Sequence, residues 1–131
     1  MNKTPINPDT VSKPIKPYFA QAVKSSSGNL LFISGQISVD AKGNLVGKGD
    51  IKAQTRQVLE NIQAILRSVG ASLENIVKVT VFLTDLRNFE AVAEVRSEYF
   101  KGNPPASTLV GVNGLVSPDF LIEIEAIAVV D

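Results

Sequence analysis

The stretch IEIEAIAVV, residues Ile122 to Val130, decides how this chain is read. Strand side chains alternate between faces, so Ile122, Ile124, Ala126, Ala128 and Val130 point one way and Glu123, Glu125, Ile127 and Val129 the other. One face is wholly apolar, and the other mixes carboxylates with hydrocarbon. A carboxylate in such surroundings lies either at the rim of the packed region or in a partly dry cavity. In the cavity, desolvation raises its pKa and suits it to acid or base work.

Working outward, Ser107 to Val112 reads as the preceding strand, separated from the last by a Gly/Ser/Pro loop. Asn103 is held extended by Pro104 and Pro105. A helix over about Asn88 to Phe100 carries Phe89, Val92, Ala93, Tyr99 and Phe100 inward, with Gly102 closing it. Val77 to Leu83 alternates as a strand. Upstream, Asp50 caps a helix whose apolar positions Ile51, Val58, Leu59, Ile62, Ile65, Leu66 and Val69 recur at helical steps and stop at Gly70. Lys52, Arg56, Glu60, Gln63 and Arg67 make its other face polar. Phe19 to Val23 and Leu30 to Gln36 are expected to pair as a hairpin around the Ser- and Gly-rich turn Lys24 to Asn29. Asp40 to Asn44 predicts a second turn into a short strand at Leu45 and Val46. Residues 1–17, with four of the seven prolines, predict an extended arm over the domain.

This order predicts a single α+β domain over residues 1–131, with two helices on one face of a mixed or antiparallel sheet. Leu30 to Ile33, Ile76 to Leu83 and Ile124 to Val130 are apolar on both faces. The face that the helices leave open is therefore expected to be covered by another copy of the chain.

Composition narrows the chemistry. With no Cys and no His, the chain has no thiol nucleophile, no disulfide, no imidazole base and no ligand set for most transition metals. Any reaction must use Glu, Asp, Lys, Arg, Tyr, Ser, Thr or backbone groups. Thirteen basic and thirteen acidic residues balance, which leaves no electrostatic footprint for nucleic acid. The first residues lack the apolar core of a signal peptide and no run is long enough for a membrane span, so a cytoplasmic location is expected.

Several positions are candidates for a site. Gly43, Gly47 and Gly49 match neither the Walker nor the dinucleotide pattern and read as turn glycines. Ser34-Gly35-Gln36 ends an apolar strand either as a bulge or as a place of close approach, and the pattern leaves both open. Tyr18 reads chiefly as packing. Arg96 lies on the apolar stripe of the second helix and is expected in a structural salt bridge. Glu123 is the strongest catalytic candidate, although structural ion pairs also perturb carboxylates.

Taken together, PYFAQAV (Pro17 to Val23), FISGQISV (Phe32 to Val39), VKVTVFLTDLRNF (Val77 to Phe89), the PPA of Pro104 to Ala106 and IEIEAIAV (Ile122 to Val129) resemble the YjgF/RidA family across almost the whole chain. The resemblance implies a chorismate-mutase-like α+β sandwich assembled as a homotrimer, with small-molecule ligand clefts between subunits. It further implies an enamine/imine deaminase, a hydrolase that releases keto compounds and ammonia and needs no metal or organic cofactor. Glu123 is the implied catalytic residue; Tyr18, Ser34, Gly35 and Phe89 are implied in the cleft. Family deaminases carry an Arg directly after the PPA or PA motif to grip the substrate carboxylate. Here Ser107 stands there, and a family Asn on the second helix is replaced by Ala93. Hydroxyls of Ser107 and Thr108, with nearby amides, are the expected substitutes for the missing guanidinium. The alternative is a non-catalytic trimer that binds a small metabolite in the same cleft. A ribonuclease activity, attached to some relatives, has little physical support without His and with balanced charge.

Overall fold

In the computed structural model, which describes residues 2–131, the strand that opened the reading lies inside the sheet. The elements are β1 (Lys3–Ile6), β2 (Ala22–Ser25), β3 (Asn29–Gln36), α1 (Ile51–Arg67), β4 (Ile76–Leu83), α2 (Phe89–Tyr99), β5 (Ala106–Gly111) and β6 (Ile122–Val130). Short 3₁₀ turns at Leu73–Asn75 and Leu86–Asn88 lead into β4 and α2. The main sheet has the order β3-β6-β4-β5; β6 runs antiparallel to both neighbours, and β4 and β5 are parallel. It is a mixed sheet with both helices on one face.

Helix α1 begins where expected, because the Asp50 carboxylate accepts from the Ala53 N–H at 3.1 Å and satisfies one of the free donors of the first turn. Val58, Leu59, Ile62 and Leu66 are fully buried from one stripe of this helix. At about 1.5–3 kcal/mol for each large apolar side chain, that stripe is the main force seating α1 on the sheet. The helix ends at Arg67, and Val69 is exposed rather than on the stripe. Gly70, at φ +72°, turns the chain in a region that other residues avoid.

The expected hairpin is not formed. Strand β2 is shifted to Ala22–Ser25 and pairs with β1 in a separate two-stranded sheet, while β3 pairs with β6. Hydrogen bonding explains the exchange. The proline-rich arm offers free backbone groups to β2, with Ser26 N–H donating to Asn2 C=O at 2.8 Å, while the long apolar β6 offers β3 a ladder from Asn29 to Gln36. The arm is thus partly a strand, and the short strand at Leu45 reduces to one bridge with Val39.

The sheet face opposite the helices carries Leu30, Phe32 and Ser34 from β3, Glu123, Glu125 and Ile127 from β6, Lys78, Thr80 and Phe82 from β4, and Thr108 and Val110 from β5. Leu30 is 60% and Phe32 70% exposed. Adjacent large apolar groups left this open are a recognition surface by ordinary surface statistics.

Candidate functional site

The candidate residues fall into two groups on opposite faces of the sheet. The first group surrounds Glu123. Between Ile33 and Gln36 the β3–β6 register slips, a bulge centred on Ser34 and Gly35. At that bulge the half-buried Glu123 carboxylate lies directly on Gly35, and a Cβ added to the glycine would collide with it. Both readings of Ser34-Gly35-Gln36 therefore hold at once: the strand bulges, and its glycine makes room for an acid. Ser34 is exposed beside it, its carbonyl accepting from Gln36 Nε2 at 3.1 Å. Thr108 shares this open face, but its hydroxyl is engaged by Lys78 Nζ at 2.6 Å.

The second group lies on the helix side. Ala20 N–H donates to Pro105 C=O at 2.9 Å, which ties the segment around Tyr18 to the start of β5. Ile15, Tyr18, Phe19, Phe89, Arg96, Ser107 and Leu109 line a cavity of about 220 Å³ there. Tyr18 is buried, as packing alone would require, and its ring lies under the Arg96 guanidinium, 4.4 Å from carbon to centroid. Arg96 Nη2 donates to Ser107 Oγ at 2.8 Å. Burial pushes the Tyr18 phenol up, against the opposing pull of the guanidinium, and burial draws Arg96 down to about 10. At neutral pH Arg96 is a cation.

The expected structural salt bridge of Arg96 is corrected. Among the described residues no carboxylate pairs with it, and its Nε has no partner. The reason is local: no acid stands three or four residues away on α2, where Ala93, Tyr99, Val92 and Phe100 occupy those positions. That pattern was the available signal for an unpaired buried cation.

Within one chain the two groups cannot share a small ligand. Glu123 sits opposite Phe82 and Ser107 opposite Val79 on the intervening β4. They are therefore roughly 10 Å apart along the strand and roughly 10 Å across it, and their side chains leave opposite faces. Ser107 and Thr108, as neighbours on a strand, are divided in the same way and do not form one hydroxyl pair.

Residues 10–130 match the endoribonuclease L-PSP family. The chain belongs to this YjgF/RidA, or Rid, family. A RutC family protein of Pyrococcus horikoshii is 53% identical to it over 120 residues, 92% of each chain. The crystal structure of YyfB of Yersinia pestis, a conserved Rid protein of unknown function, is similar at TM-score 0.92 with 37% identity, over 99% of this chain and 100% of that one. Yeast Mmf1 is similar at TM-score 0.73 with 35% identity, over 98% of each chain. The Rid chain described here keeps the family's sheet and helices; among its described residues no helix is long and apolar enough to cross a membrane.

Proposed function

We propose that this Rid protein is a cofactor-free imine deaminase working as a homotrimer, with its site in the cleft between subunits. The observation that carries the reading is Glu123, a lone carboxylate seated on Gly35 at a strand bulge on an otherwise apolar open face. An iminium carbon is already electrophilic, so the protein need only hold a water and move protons. Glu123 takes a proton from the water as its oxygen bonds to carbon. The nitrogen then gains that proton, the C–N bond breaks, and a keto compound and ammonia leave.

The division of the site supports the assembly. A two-fold contact would place like surfaces together, whereas a head-to-tail ring sets the open face of one protomer against a different surface of the next. Only the second arrangement joins a Glu123 group to an Arg96 group, and it also covers Leu30 and Phe32.

An amino-acid oxidase that releases imines supplies the test. Keto-acid formation is expected to accelerate when the protein is added, and to lose at least tenfold of that acceleration in Glu123→Gln. Acceleration that is absent for every amino acid, or equal in the variant, removes the reading. Ser107, standing where an Arg is expected, favours the second reading, a trimer that binds a small metabolite without turnover. Saturable binding without acceleration is its signature.

A further inference from the structure

Arg96 is 1% exposed, has no acidic partner among the described residues, and keeps one N–H unused. Burying a charge without a counterion is among the costliest arrangements in a folded chain. A packed Leu or Met would fill the space without that cost, so the cation calls for an anion that the chain does not itself supply.

The surroundings say which anion. Nε and Nη2 form the side-on edge of the guanidinium; Nη2 gives one of its two hydrogens to Ser107 and Nε is free. That edge matches the two oxygens of a carboxylate. The Ser107 hydroxyl accepts from Arg96 and so has its own hydrogen to donate to the same anion. The face of the guanidinium is held by Tyr18, which leaves its edge as the approach. The rest of the cavity is hydrocarbon from Ile15, Phe19, Phe89 and Leu109. Its 220 Å³ equals about seven water molecules. That suits a short-chain acid and is too small for a nucleotide.

We propose that the Arg96–Ser107 pair is a carboxylate-binding site that takes a small, short-chain 2-keto or 2-imino acid with its alkyl group against Phe19, Phe89 and Leu109. That the acid is an imine or its keto product rests on the deaminase reading above; the carboxylate site does not. The guanidinium comes from α2 and reaches β5, so the site escapes a search for Arg along β5.

The test is calorimetric titration of the intact protein with 2-oxobutanoate, and with neutral 2-butanone as its uncharged counterpart. Wild type is expected to bind the acid at least tenfold more tightly than the ketone. Arg96→Met is expected to abolish that preference. Because that variant also changes a buried side chain, Ser107→Asp is the second arm: it keeps Arg96 and gives it a counterion within the chain. It too should weaken acid binding at least tenfold, while its melting temperature rises. Equal binding of acid and ketone by wild type, or acid binding unchanged in Ser107→Asp, overturns the proposal. Binding needs no turnover, so the two readings fail separately. Acid binding lost in both variants without any imine hydrolysis leaves the site standing and removes the deaminase. Imine hydrolysis whose KM ignores Ser107→Asp does the reverse.

Discussion

Gln54 on α1 and Arg96 on α2 are both polar side chains taken wholly out of water on the sheet side of a helix. Gln54 is saturated. Its Nε2 donates to Gly47 C=O at 3.1 Å and Asp119 C=O at 2.9 Å, and its Oε1 accepts from Leu121 N–H at 2.9 Å. It fastens the loop before α1 to the loop before β6. Arg96 has one hydroxyl partner, one aromatic face, an idle N–H and no counterion. A buried polar group that holds architecture together has every partner in the chain; one that waits for a ligand shows a deficit. The contrast makes Arg96 the informative residue although both are equally buried.

The contrast can be broken by experiment. Its largest expected effect is Gln54→Leu, which orphans two carbonyls and one N–H in the interior and is expected to cost about 3–5 kcal/mol in urea unfolding. A cost under about 1 kcal/mol would mean that the network is not structural. Next, Gly35→Ala forces the Glu123 carboxylate off its seat, with an expected stability loss of about 1–3 kcal/mol and a larger proportional loss in imine hydrolysis. Unchanged hydrolysis would separate the bulge from the chemistry. Arg96→Met is expected to act with the opposite sign from Gln54→Leu, raising unfolding free energy by about 1 kcal/mol, because an uncompensated charge is exchanged for hydrocarbon.

The smallest effect is in pH. Burial lowers Arg96 to about 10, below its unfolded value, so above that pH the unfolded chain holds a proton that the folded chain has shed. Wild-type stability then rises with pH relative to Arg96→Met. Tyr18 moves the same comparison in the same direction: its phenol is already raised by burial, and removing the guanidinium raises it further, which penalises the variant at high pH. The advantage of Arg96→Met should therefore shrink between pH 9 and pH 11. An advantage that grew over that range would place the charge elsewhere.

Much of this was legible in the chain. The stripes of α1 and α2 and the alternation of β4 and β6 are strong periodic signals because burial on one side imposes them. Which strand pairs with which was not legible between Phe19 and Gln36. A four-residue strand such as β2 carries no pattern that prefers β3 over the arm, and pairing was settled by distant partners. At the site, Glu123 and Gly35 could be named from their own strands. Arg96 could be placed on its stripe, but its lack of a counterion depends on what Tyr18 and Ser107 bring to it from elsewhere. The separation of Ser107 from Thr108 follows from strand alternation alone.

The central claim is that a working site takes Glu123 from one protomer and Arg96 from the next, and mixing two disabled chains tests it most directly. Glu123→Gln and Arg96→Met, each inactive in imine hydrolysis alone, are unfolded together in equal amounts and refolded. A head-to-tail ring built at random restores both groups at about one site in four, so about a quarter of wild-type activity is expected to return. A mixture that stays as inactive as its parents, while running as the same mixed oligomer, would contradict the account.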